Sequence, residues 1–461
     1  MNFNPFLNID GYNIGHWKQL LPGTQHCYGY GAPRKGPSPT VVWGINEVAQ
    51  KLTVSCTETN IMTFLEAIEG YGPKVNIPGF SRLIKEYAMT NQEFPLLLRG
   101  LREGTVVRPG IPHYTLVNTD PKFPWLSGFL SSFILRDIWY ASTVASISRD
   151  IRQIISTALE VSGTIEDLPY KLVDFGTRGA TAEGSAALGG AGHGISFRSS
   201  DNVRALSYIK ENHFCDNPFS TINASEHATV TQGGPEGELD FFRRFIEENL
   251  SPGISAACVS DSYNIWEALK KWKTLEPEIK ASGGTLVVRP DSGNPVVTPI
   301  KVINNLIDLF GSTDNTKGFK VLPPYIRVIQ GDGIDKASLK AIIDLLYLNR
   351  LSMDNLSFGM GGGLLQQCDR DTYGWAFKCS ASNVDGYWRD VWKDPLEGSK
   401  TSLRGLVTDR ETHNNLEALM PNPNTPSDFV TYYDGERGYL RSPDTWDTIK
   451  ERANESSMVS L

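Results

Sequence analysis

Seven short strand-like runs between residues 171 and 365 limit most strongly the folds that this sequence can adopt. Each run is followed by a polar or glycine-rich tip and then by a helical pattern. Parallel strands that are joined by helices place all such tips on one face, where a substrate can be surrounded. Most of the chemically capable side chains in this part of the chain lie at these tips, which is typical of an enzyme. The expected strands are Lys171–Phe175, Gly194–Phe197, Phe219–Ile222, Ser255–Val259, Thr285–Val288, Tyr325–Ile329 and Asn355–Phe358.

Length and composition set limits on the class of protein. A chain of 461 residues is long enough for two or three domains with a large core. Its net charge of −8 argues against a nucleic-acid partner. The six cysteines are scattered and form no C-x-x-C pair, so we expect neither structural zinc nor a disulfide framework, and a cytoplasmic location. No run approaches the ~18 apolar residues of a membrane span, so we expect no membrane partner.

We expect three segments along the chain. Residues 1–165 are predicted to form an N-terminal α+β segment, and residues 166–385 an irregular (β/α) barrel. Residues 386–461 are predicted to form a C-terminal segment that packs with the N-terminal one, so that the two build a second α+β domain. Within the first segment, Pro95–Gly104 is predicted to be helical. A doubly wound open sheet is the structural alternative to the barrel, because both give the same alternation of strands and helices.

Two neighbouring tips are rich in glycine. Phe358–Leu365 contains three consecutive glycines where a strand ends and a helix begins, so backbone N–H groups can approach a phosphate without side-chain interference. Gln330–Gly333 ends the preceding strand in the same style. A merely tight turn is the alternative for either loop alone, but the pair favours a phosphate site. The chain has no G-K-[ST] sequence, so any use of ATP needs an arrangement other than a Walker A loop.

Arg289 and Asp291 leave one strand end two residues apart, and therefore on the same side. The guanidinium can clamp a phosphate bidentately, while the carboxylate can accept from sugar hydroxyls or hold Mg²⁺ through water. A structural ion pair with an N-capping aspartate is the alternative. Asp261 lies at the tip before, where a functional role and a helix-capping role are equally well supported.

Two further tips carry an aromatic ring and a histidine. Phe175 can stack on a flat ring and Arg178 can bind an anion, or they are a core ring and a surface cation. His227 beside Glu226 can act as a general base or a phosphate acceptor, although a lone histidine is more often structural. Together the tips suit a doubly phosphorylated sugar whose leaving group needs Mg²⁺. They lack the two or three histidines of a zinc site and do not suit hydride transfer.

The order and spacing of seven motifs resemble those of the nicotinamide phosphoribosyltransferase family over residues 6–35 and 170–405. The resemblance implies a type II phosphoribosyltransferase fold and an obligate homodimer whose subunits share their active sites. It also implies that nicotinamide reacts with phosphoribosyl pyrophosphate in the presence of Mg²⁺, with optional coupling to ATP hydrolysis. The motifs are VDFGTRG, ASEHATV, VSDSYNIW, VVRPDSGNP, LPPYIRVIQGDGID, SFGMGGGLLQ and FKCS.

The same resemblance implies a role for individual residues. Phe175 and Tyr12 of the second subunit would sandwich the pyridine ring, while Asp201 would accept from the carboxamide. His227 would be phosphorylated during ATP coupling, with Glu226 orienting it. Mg²⁺ would be held mainly by the pyrophosphate. The remaining residues that the resemblance assigns to base, ribose or phosphates are Asp10, Arg34, Arg178, Asp261, Arg289, Asp291, Gly331, Asp332, Gly361, Gly362, Arg370, Lys378 and Lys393.

Some positions depart from the family pattern. Thr177 stands where the vertebrate-type pattern has tyrosine, and Ala257 and Ala376 stand where a serine is expected. The basic loop that contains Lys400 is shorter, which bears on ATP coupling. Nicotinate phosphoribosyltransferase is the nearest alternative, and Asp201 argues against it because a carboxylate repels nicotinate but accepts from nicotinamide. A binding protein without catalysis is a second alternative, which the intact set of tip residues disfavours.

Overall fold

A computed structural model describes most of the chain, namely residues 3–53, 55–396, 401–407, 412–413, 429–440, 442 and 444–455. The chain divides into two compact units, one formed by residues 1–146 with 369–461 and the other by residues 147–368. None of the helices in the described residues combines the length and the hydropathy that crossing a membrane requires.

Helices and strands follow one another along both units. In the described residues the α-helices are α1 (Ile45–Leu52), α2 (Glu58–Ala67), α3 (Ile77–Glu86), α4 (Leu126–Ser162), α5 (Glu183–Gly194), α6 (Val203–His213), α7 (His227–Val230), α8 (Glu238–Asn249), α9 (Ile265–Thr274), α10 (Glu276–Ser282), α11 (Thr298–Phe310), α12 (Lys336–Leu348), α13 (Gly362–Leu365) and α14 (Trp446–Glu455). The β-strands are β1 (Thr24–Ala32), β2 (Thr40–Val41), β3 (Leu96–Leu101), β4 (Val106–Val107), β5 (Tyr114–Asn118), β6 (Leu172–Asp174), β7 (Ser199–Ser200), β8 (Asn223–Ala224), β9 (Ser255–Val259), β10 (Thr285–Arg289), β11 (Thr313–Asp314), β12 (Lys320–Val321), β13 (Ile326–Gln330), β14 (Leu356–Met360), β15 (Ala376–Val384), β16 (Tyr387–Asp390), β17 (Leu406–Val407), β18 (Thr412–His413), β19 (Phe429–Asp434) and β20 (Gly438–Tyr439).

The second unit is built on one curled sheet of seven parallel strands in the order β7-β6-β14-β13-β10-β9-β8. A parallel bridge between Ser199 and Ser220 joins the β7 edge to the segment that leads into β8. The two edges of the sheet therefore meet, as they do in a barrel, and the helices alternate with the strands along the chain. This confirms the predicted irregular (β/α) barrel over the doubly wound sheet.

Five of the seven predicted strands coincide with β6, β9, β10, β13 and β14 to within two residues at each end. The other two predictions are wrong in position. Gly194–Phe197 lies at the end of α5 and in the turn after it, and Phe219–Ile222 precedes β8. Helix α5 packs closely on α6, because a Cβ added at Gly190 would lie 2.6 Å from the Ala205 Cβ. The helix runs to Gly194, the first residue of the predicted strand, and the strand itself begins only at Ser199, in β7.

The first unit contains an antiparallel sheet with the strand order β16-β15-β1-β5-β3-β19-β20. Its strands come from both ends of the chain, which confirms the second α+β domain. The predicted helix at Pro95–Gly104 is wrong, because Leu96–Leu101 forms strand β3 and all six of its residues are buried. Strand β3 pairs with β19, which begins at Phe429, and a partner so distant in sequence leaves no local signal.

The boundaries between the two units differ from the predicted segment boundaries. The division falls after Ser146 and after Cys368 rather than after residues 165 and 385. Strand β15 pairs with β1 and so belongs to the antiparallel sheet, although its residues fall within the predicted barrel segment. The first boundary lies inside the long helix α4, where the sequence shows no turn or linker signal.

Glu103 is a buried carboxylic acid in the first unit, with 2% of its surface exposed. Its Oε1 accepts hydrogen bonds from the backbone N–H groups of Gly44 at 3.0 Å and Asn46 at 3.1 Å. Burial raises the pKa of Glu103 to about 7, and these hydrogen bonds only partly oppose the effect. Between pH 4.5 and about 7, the folded protein therefore keeps a proton on Glu103 that the unfolded chain, with a pKa near 4.5, has lost.

We expect the free energy of unfolding to fall as the pH rises from about 4.5 to about 7, by up to about 3 kcal/mol from this residue. The stabilisation is fully present below the unfolded pKa and is lost as the pH passes the folded one. Urea denaturation between these pH values measures the effect. The Glu103→Gln variant should have a flatter profile, and an unchanged slope in that variant would contradict the assignment.

Candidate active site

The barrel unit contains a cavity of about 560 Å³. This volume is within the usual range for small-molecule sites. The wall includes Phe175, Asp201 and Arg289 at the carboxyl ends of the strands. It also includes Lys171 and Thr285 at the opposite ends of their strands, so the cavity extends along the inside of the barrel.

Small side chains account for the open interior. Barrel interiors are usually filled by layers of large branched side chains. Here Ala257 packs with Val287 and Ile329, and Ser255 and Ser357 complete the same wall. Ala257 is the position at which the sequence departs from the serine of the family, and it faces the cavity as the resemblance implies.

Phe175 forms an aromatic shelf inside this cavity. The residue directly follows β6, and its N–H donates to the Met360 carbonyl at 3.0 Å. A Cβ added at Gly331 or Gly359 would lie 2.8 or 2.0 Å from the ring, so both glycines are needed for the ring to fit. Gly359 was not expected to shape the site, although a glycine inside a strand is a known signal of close approach. The Arg289 guanidinium lies 5.4 Å from the ring centroid.

Asp201 lies in the same cavity, between strand β7 and helix α6. Its N–H donates to the Asp174 carbonyl at 3.0 Å, and its carboxylate accepts from the Thr221 hydroxyl. Partial enclosure by the cavity raises the pKa of Asp201, and the hydrogen bond from Thr221 opposes the rise. Thr221 was not anticipated, because it lies twenty residues from Asp201 in the chain.

Arg289 and Asp291 form the ion pair that their spacing indicated. The Nε and Nη2 atoms of Arg289 donate to Asp291 Oδ1 at 3.1 and 2.7 Å. Both side chains are only partly buried, with 17% and 23% exposed, so the pair is accessible to a ligand. Asp332 is exposed at the neighbouring tip, next to Gly331.

His227 lies between two carboxylates at the tips of β9 and β10. Its Nε2 is 3.2 Å from Asp261 Oδ1, and its Nδ1 is 3.7 Å from Asp291 Oδ2. Asp261 is fixed in turn, because its Oδ2 accepts from the Asp291 N–H at 2.9 Å and from the Ser292 hydroxyl at 2.5 Å. With 46% of its side chain exposed, the ring is open to solvent.

Glu226 directly precedes His227 in the chain. It is the N-cap residue of the short helix α7, and its side chain makes no capping hydrogen bond there. The carboxylates that approach the His227 ring belong to Asp261 and Asp291. The orienting role of Glu226 stays a prediction.

The glycine-rich tip combines tight packing with open space. A Cβ added at Gly363 would lie 2.5 Å from the Ile334 carbonyl, and one at Gly361 would lie 3.3 Å from the Phe175 carbonyl. Around Gly362, by contrast, no heavy atom of the described residues falls within 4 Å of such a Cβ. Arg178 is exposed on the turn after Phe175. The phosphate cradle assigned to these glycines stays a prediction.

Six of the expected site residues belong to the first unit. Asp10 precedes a 3₁₀-helix over Gly11–Lys18 and accepts from the Ser132 hydroxyl at 2.8 Å. Tyr12, on that helix, is 65% exposed. The four cations are Arg34, whose Nε donates to a backbone carbonyl at 2.7 Å, Lys378 on β15, and the exposed Arg370 and Lys393.

Two of the departures from the family pattern can be placed. Thr177 begins a short 3₁₀ turn after β6 and is exposed, and Ala376 is the first residue of β15. Lys400 lies outside the described residues, as does most of the chain between positions 408 and 428.

No group of three or more His, Cys, Asp or Glu side chains in the described residues is arranged to hold a metal ion. Asp201 on the wall of the cavity, and Asp261 and Asp291 at the tips of β9 and β10, are each engaged by protein hydrogen-bond donors.

Comparison with known proteins places these features in a family. Residues 170–424 match the model of the Nicotinate phosphoribosyltransferase (NAPRTase) family. The sequence is 38% identical to the nicotinamide phosphoribosyltransferase of Xanthomonas campestris pv. campestris (strain 8004), over 90% of each chain. It is 28% identical to the nicotinamide phosphoribosyltransferase of Acinetobacter baylyi (strain ATCC 33305 / BD413 / ADP1), over 88% of each chain.

Solved structures show the same fold at low sequence identity. Nicotinate-nucleotide pyrophosphorylase from Pyrococcus furiosus matches 98% of this chain and 95% of its own with a TM-score of 0.59 and 14% identity. Human nicotinic acid phosphoribosyltransferase matches 96% of this chain and 91% of its own with a TM-score of 0.56 and 14% identity.

Proposed function

The chain belongs to the nicotinate phosphoribosyltransferase family, and we propose that it transfers the phosphoribosyl group of phosphoribosyl pyrophosphate to nicotinamide. The products are nicotinamide mononucleotide and pyrophosphate, so the reaction returns nicotinamide to NAD biosynthesis. The observation that carries this proposal is the Asp201 carboxylate, which shares the wall of one cavity with the Phe175 ring. The names of the relatives that cover most of the chain support the same choice of base.

Asp201 selects the base by its charge. The carboxamide of nicotinamide carries an N–H₂ group that donates to a carboxylate, whereas the carboxylate of nicotinate is repelled by it. Arg289 in the same cavity attracts an anion, and its presence there favours nicotinate as a second candidate for the base. Because Arg289 is already paired with Asp291, Asp201 is the less compensated charge that faces the base.

The reaction needs positioning more than acid–base chemistry. The pyridine nitrogen attacks the anomeric carbon as the bond to pyrophosphate breaks, and this nitrogen carries no proton to remove. Stacking on Phe175 and the contact to Asp201 aim the nitrogen at the sugar. Asp291 accepts from the ribose hydroxyls, while Arg289 holds that carboxylate in place. Fixed charges in an enclosed site stabilise a cationic transition state without reorganisation.

We assign the phosphates to the glycine-rich tip and to basic side chains. Backbone N–H groups at Gly361 and Gly362 would bind the 5′-phosphate, while Gly331 and Asp332 line the ribose. Mg²⁺ bound by the pyrophosphate would neutralise part of the charge that departs. The cations assigned to the phosphates are Arg34, Arg370, Lys378 and Lys393.

A second copy of the chain would complete the site. The stack on the other face of the pyridine ring is assigned to Tyr12 of that copy, and the high exposure of Tyr12 within its own unit supports the assignment. The active form would be a cytoplasmic homodimer. Light scattering on the purified protein tests the oligomeric state.

A competition assay tests the function itself. The purified protein is incubated with phosphoribosyl pyrophosphate, Mg²⁺ and equal concentrations of nicotinamide and nicotinate, and the nucleotide products are separated. Nicotinamide mononucleotide should dominate. Equal use of both bases would contradict the proposed selectivity, and no product from either would favour a binding protein without catalysis. A reaction without phosphoribosyl pyrophosphate is the control.

His227 is the proposed site of ATP coupling. One ring nitrogen attacks the γ-phosphorus of ATP and ADP leaves, while Asp261 holds the other nitrogen. His227→Ala should therefore abolish the stimulation of synthesis by ATP and leave part of the synthesis that needs no ATP. The rate ratio with and without ATP measures this. A variant that ATP still stimulates would contradict the role, and Glu226→Gln shows whether the neighbouring carboxylate contributes.

A further inference from the structure

Asp174 is a fully buried carboxylate directly behind the base-binding cavity, with 0% of its surface exposed. It is the last residue of β6 and the neighbour of Phe175. Its Oδ1 accepts from the Gly176 N–H at 2.7 Å, so it closes the turn that carries the Phe175 ring. No role was assigned to it from the sequence.

The second oxygen of Asp174 reaches the residue that follows Asp201, the other base-recognition residue. Asp174 Oδ2 accepts from Asn202 Nδ2 at 2.9 Å, and Asn202 directly follows Asp201. Asn202 is also the N-cap of helix α6, because its Oδ1 accepts from the Ala205 N–H at 3.0 Å. One carboxylate therefore connects the turn of Phe175 with the start of the helix that follows Asp201.

Helix α5 closes the space around this connection. A Cβ added at Gly190 would lie 2.4 Å from Asn202 Nδ2 and 3.0 Å from Asp174 Oδ2. The same helix carries His193, whose Nδ1 is 2.8 Å from the Ser148 hydroxyl and whose Nε2 is 3.0 Å from a backbone carbonyl. A side chain larger than glycine at position 190 would therefore displace the Asp174–Asn202 contact.

The carboxylate of Asp174 has neutral partners. Both donors named above are uncharged, and among the salt bridges of the described residues none involves Asp174. Burial lowers the pKa of His193, which favours the neutral imidazole, although Asp174 opposes the shift. A negative charge that is buried without a cation acts strongly on its surroundings, because the interior screens it poorly.

We propose that Asp174 is a positioning residue for base selection, which holds Phe175 and Asp201 in register and adds a second negative charge behind the base. This inference rests on the proposed function. The charge disfavours an anionic base and favours the positive charge that appears on the ring nitrogen as the new bond forms. In accord with this placement, Asp174 contributes to the raised pKa of Asp201, after the larger effect of enclosure.

The test compares base selectivity in Asp174→Asn with that of the wild type. The amide can accept only one of the two hydrogen bonds and removes the charge. We expect kcat/KM for nicotinamide to fall roughly 10–100-fold, the loss for a hydrogen bond to a charged group. The preference for nicotinamide over nicotinate should fall about 5-fold or more, since the repulsion of the anion weakens. Thermal unfolding of each variant checks that it is folded.

Two further variants separate positioning from general damage. The exchange Asp174→Asn with Asn202→Asp restores a donor and an acceptor to this contact and keeps one charge, so the nicotinamide preference should recover. Recovery will be incomplete, because Asn202 also donates to the Ala186 carbonyl at 2.9 Å. Glu238→Gln is the matched control, since Glu238, the first residue of helix α8, is 1% exposed and pairs with Lys271 of helix α9 at 2.7 Å. It should lower stability and leave base selectivity unchanged.

The results with these variants show whether Asp174 is a positioning residue for base selection. A folded Asp174→Asn variant with both kcat/KM and selectivity within twofold of the wild type overturns the inference, as does an equal change of selectivity in Glu238→Gln. If the single variant does not fold, the exchange variant decides, and loss of its nicotinamide preference overturns the inference. A wild-type protein that makes no nicotinamide mononucleotide instead overturns the proposed function.

Discussion

Replacing Arg289 by alanine is expected to lower kcat/KM for phosphoribosyl pyrophosphate by roughly 100-fold, the scale for truncating one partner of a hydrogen-bonded charge pair. Two hydrogen bonds from Arg289 orient the Asp291 carboxylate, and its guanidinium lies against the Phe175 ring. Without Arg289, the Asp291 carboxylate loses these two hydrogen bonds and its fixed orientation, while its other oxygen lies 3.7 Å from His227 Nδ1. Initial rates at varied phosphoribosyl pyrophosphate measure the effect.

Arg289→Lys is the matched control for charge. A lysine keeps the positive charge but cannot reproduce the two-pronged contact, so the loss should be intermediate. A loss of 1.4 kcal/mol of transition-state binding lowers kcat/KM about tenfold. If kcat/KM of Arg289→Ala stays within about threefold of the wild type, the ion pair therefore serves the stability of the fold instead of catalysis.

Replacing Asp201 is expected to have the largest effect on the choice of base. In Asp201→Ala, kcat/KM for nicotinamide should fall roughly 10–100-fold, because a hydrogen bond to a charged acceptor is lost. Use of nicotinate should rise in the same variant, because the repulsive carboxylate is gone while Arg289 remains in the cavity. Parallel assays with each base as the sole acceptor measure both changes.

The hydroxyl of Thr221 offers a control for this prediction. Thr221→Val removes the hydrogen bond that holds Asp201 and leaves its charge, so turnover should fall less and selectivity should persist. Unchanged turnover of nicotinamide in Asp201→Ala would remove the basis of the proposed selectivity. It would leave family membership intact, because that rests on the whole sequence.

Much of the barrel could be predicted from local pattern. Strand β9 falls where it was predicted, at Ser255–Val259, and β10 is one residue longer than predicted. Buried parallel strands read as short apolar runs that end in turn residues, and this signal is complete within each run. The strand predicted at Gly194–Phe197 is wrong because helix α5 runs to Gly194 and the strand follows only at Ser199–Ser200, and β3 was misread because its partner β19 is distant in sequence.

The candidate site shows the same division. The residue types at the tips were visible in the sequence, and so was the pairing of Arg289 with Asp291, since two positions on one strand end have a fixed spacing. The contact of Asp261 with His227 joins residues 34 positions apart, and a helix cap was an equally good reading of Asp261. No periodicity encodes such a distance.

The sequence by itself therefore determined which chemical groups stand at the ends of the parallel strands, because strand, tip and helix are each specified over a few neighbouring residues. Only the tertiary structure decided how these groups meet. It showed an open barrel interior behind Phe175 and a buried carboxylate, Asp174, that connects Gly176 in the turn after Phe175 with Asn202, the neighbour of Asp201. These features depend on side-chain packing between segments distant in the chain, where a change of a few ångströms separates a contact from a gap.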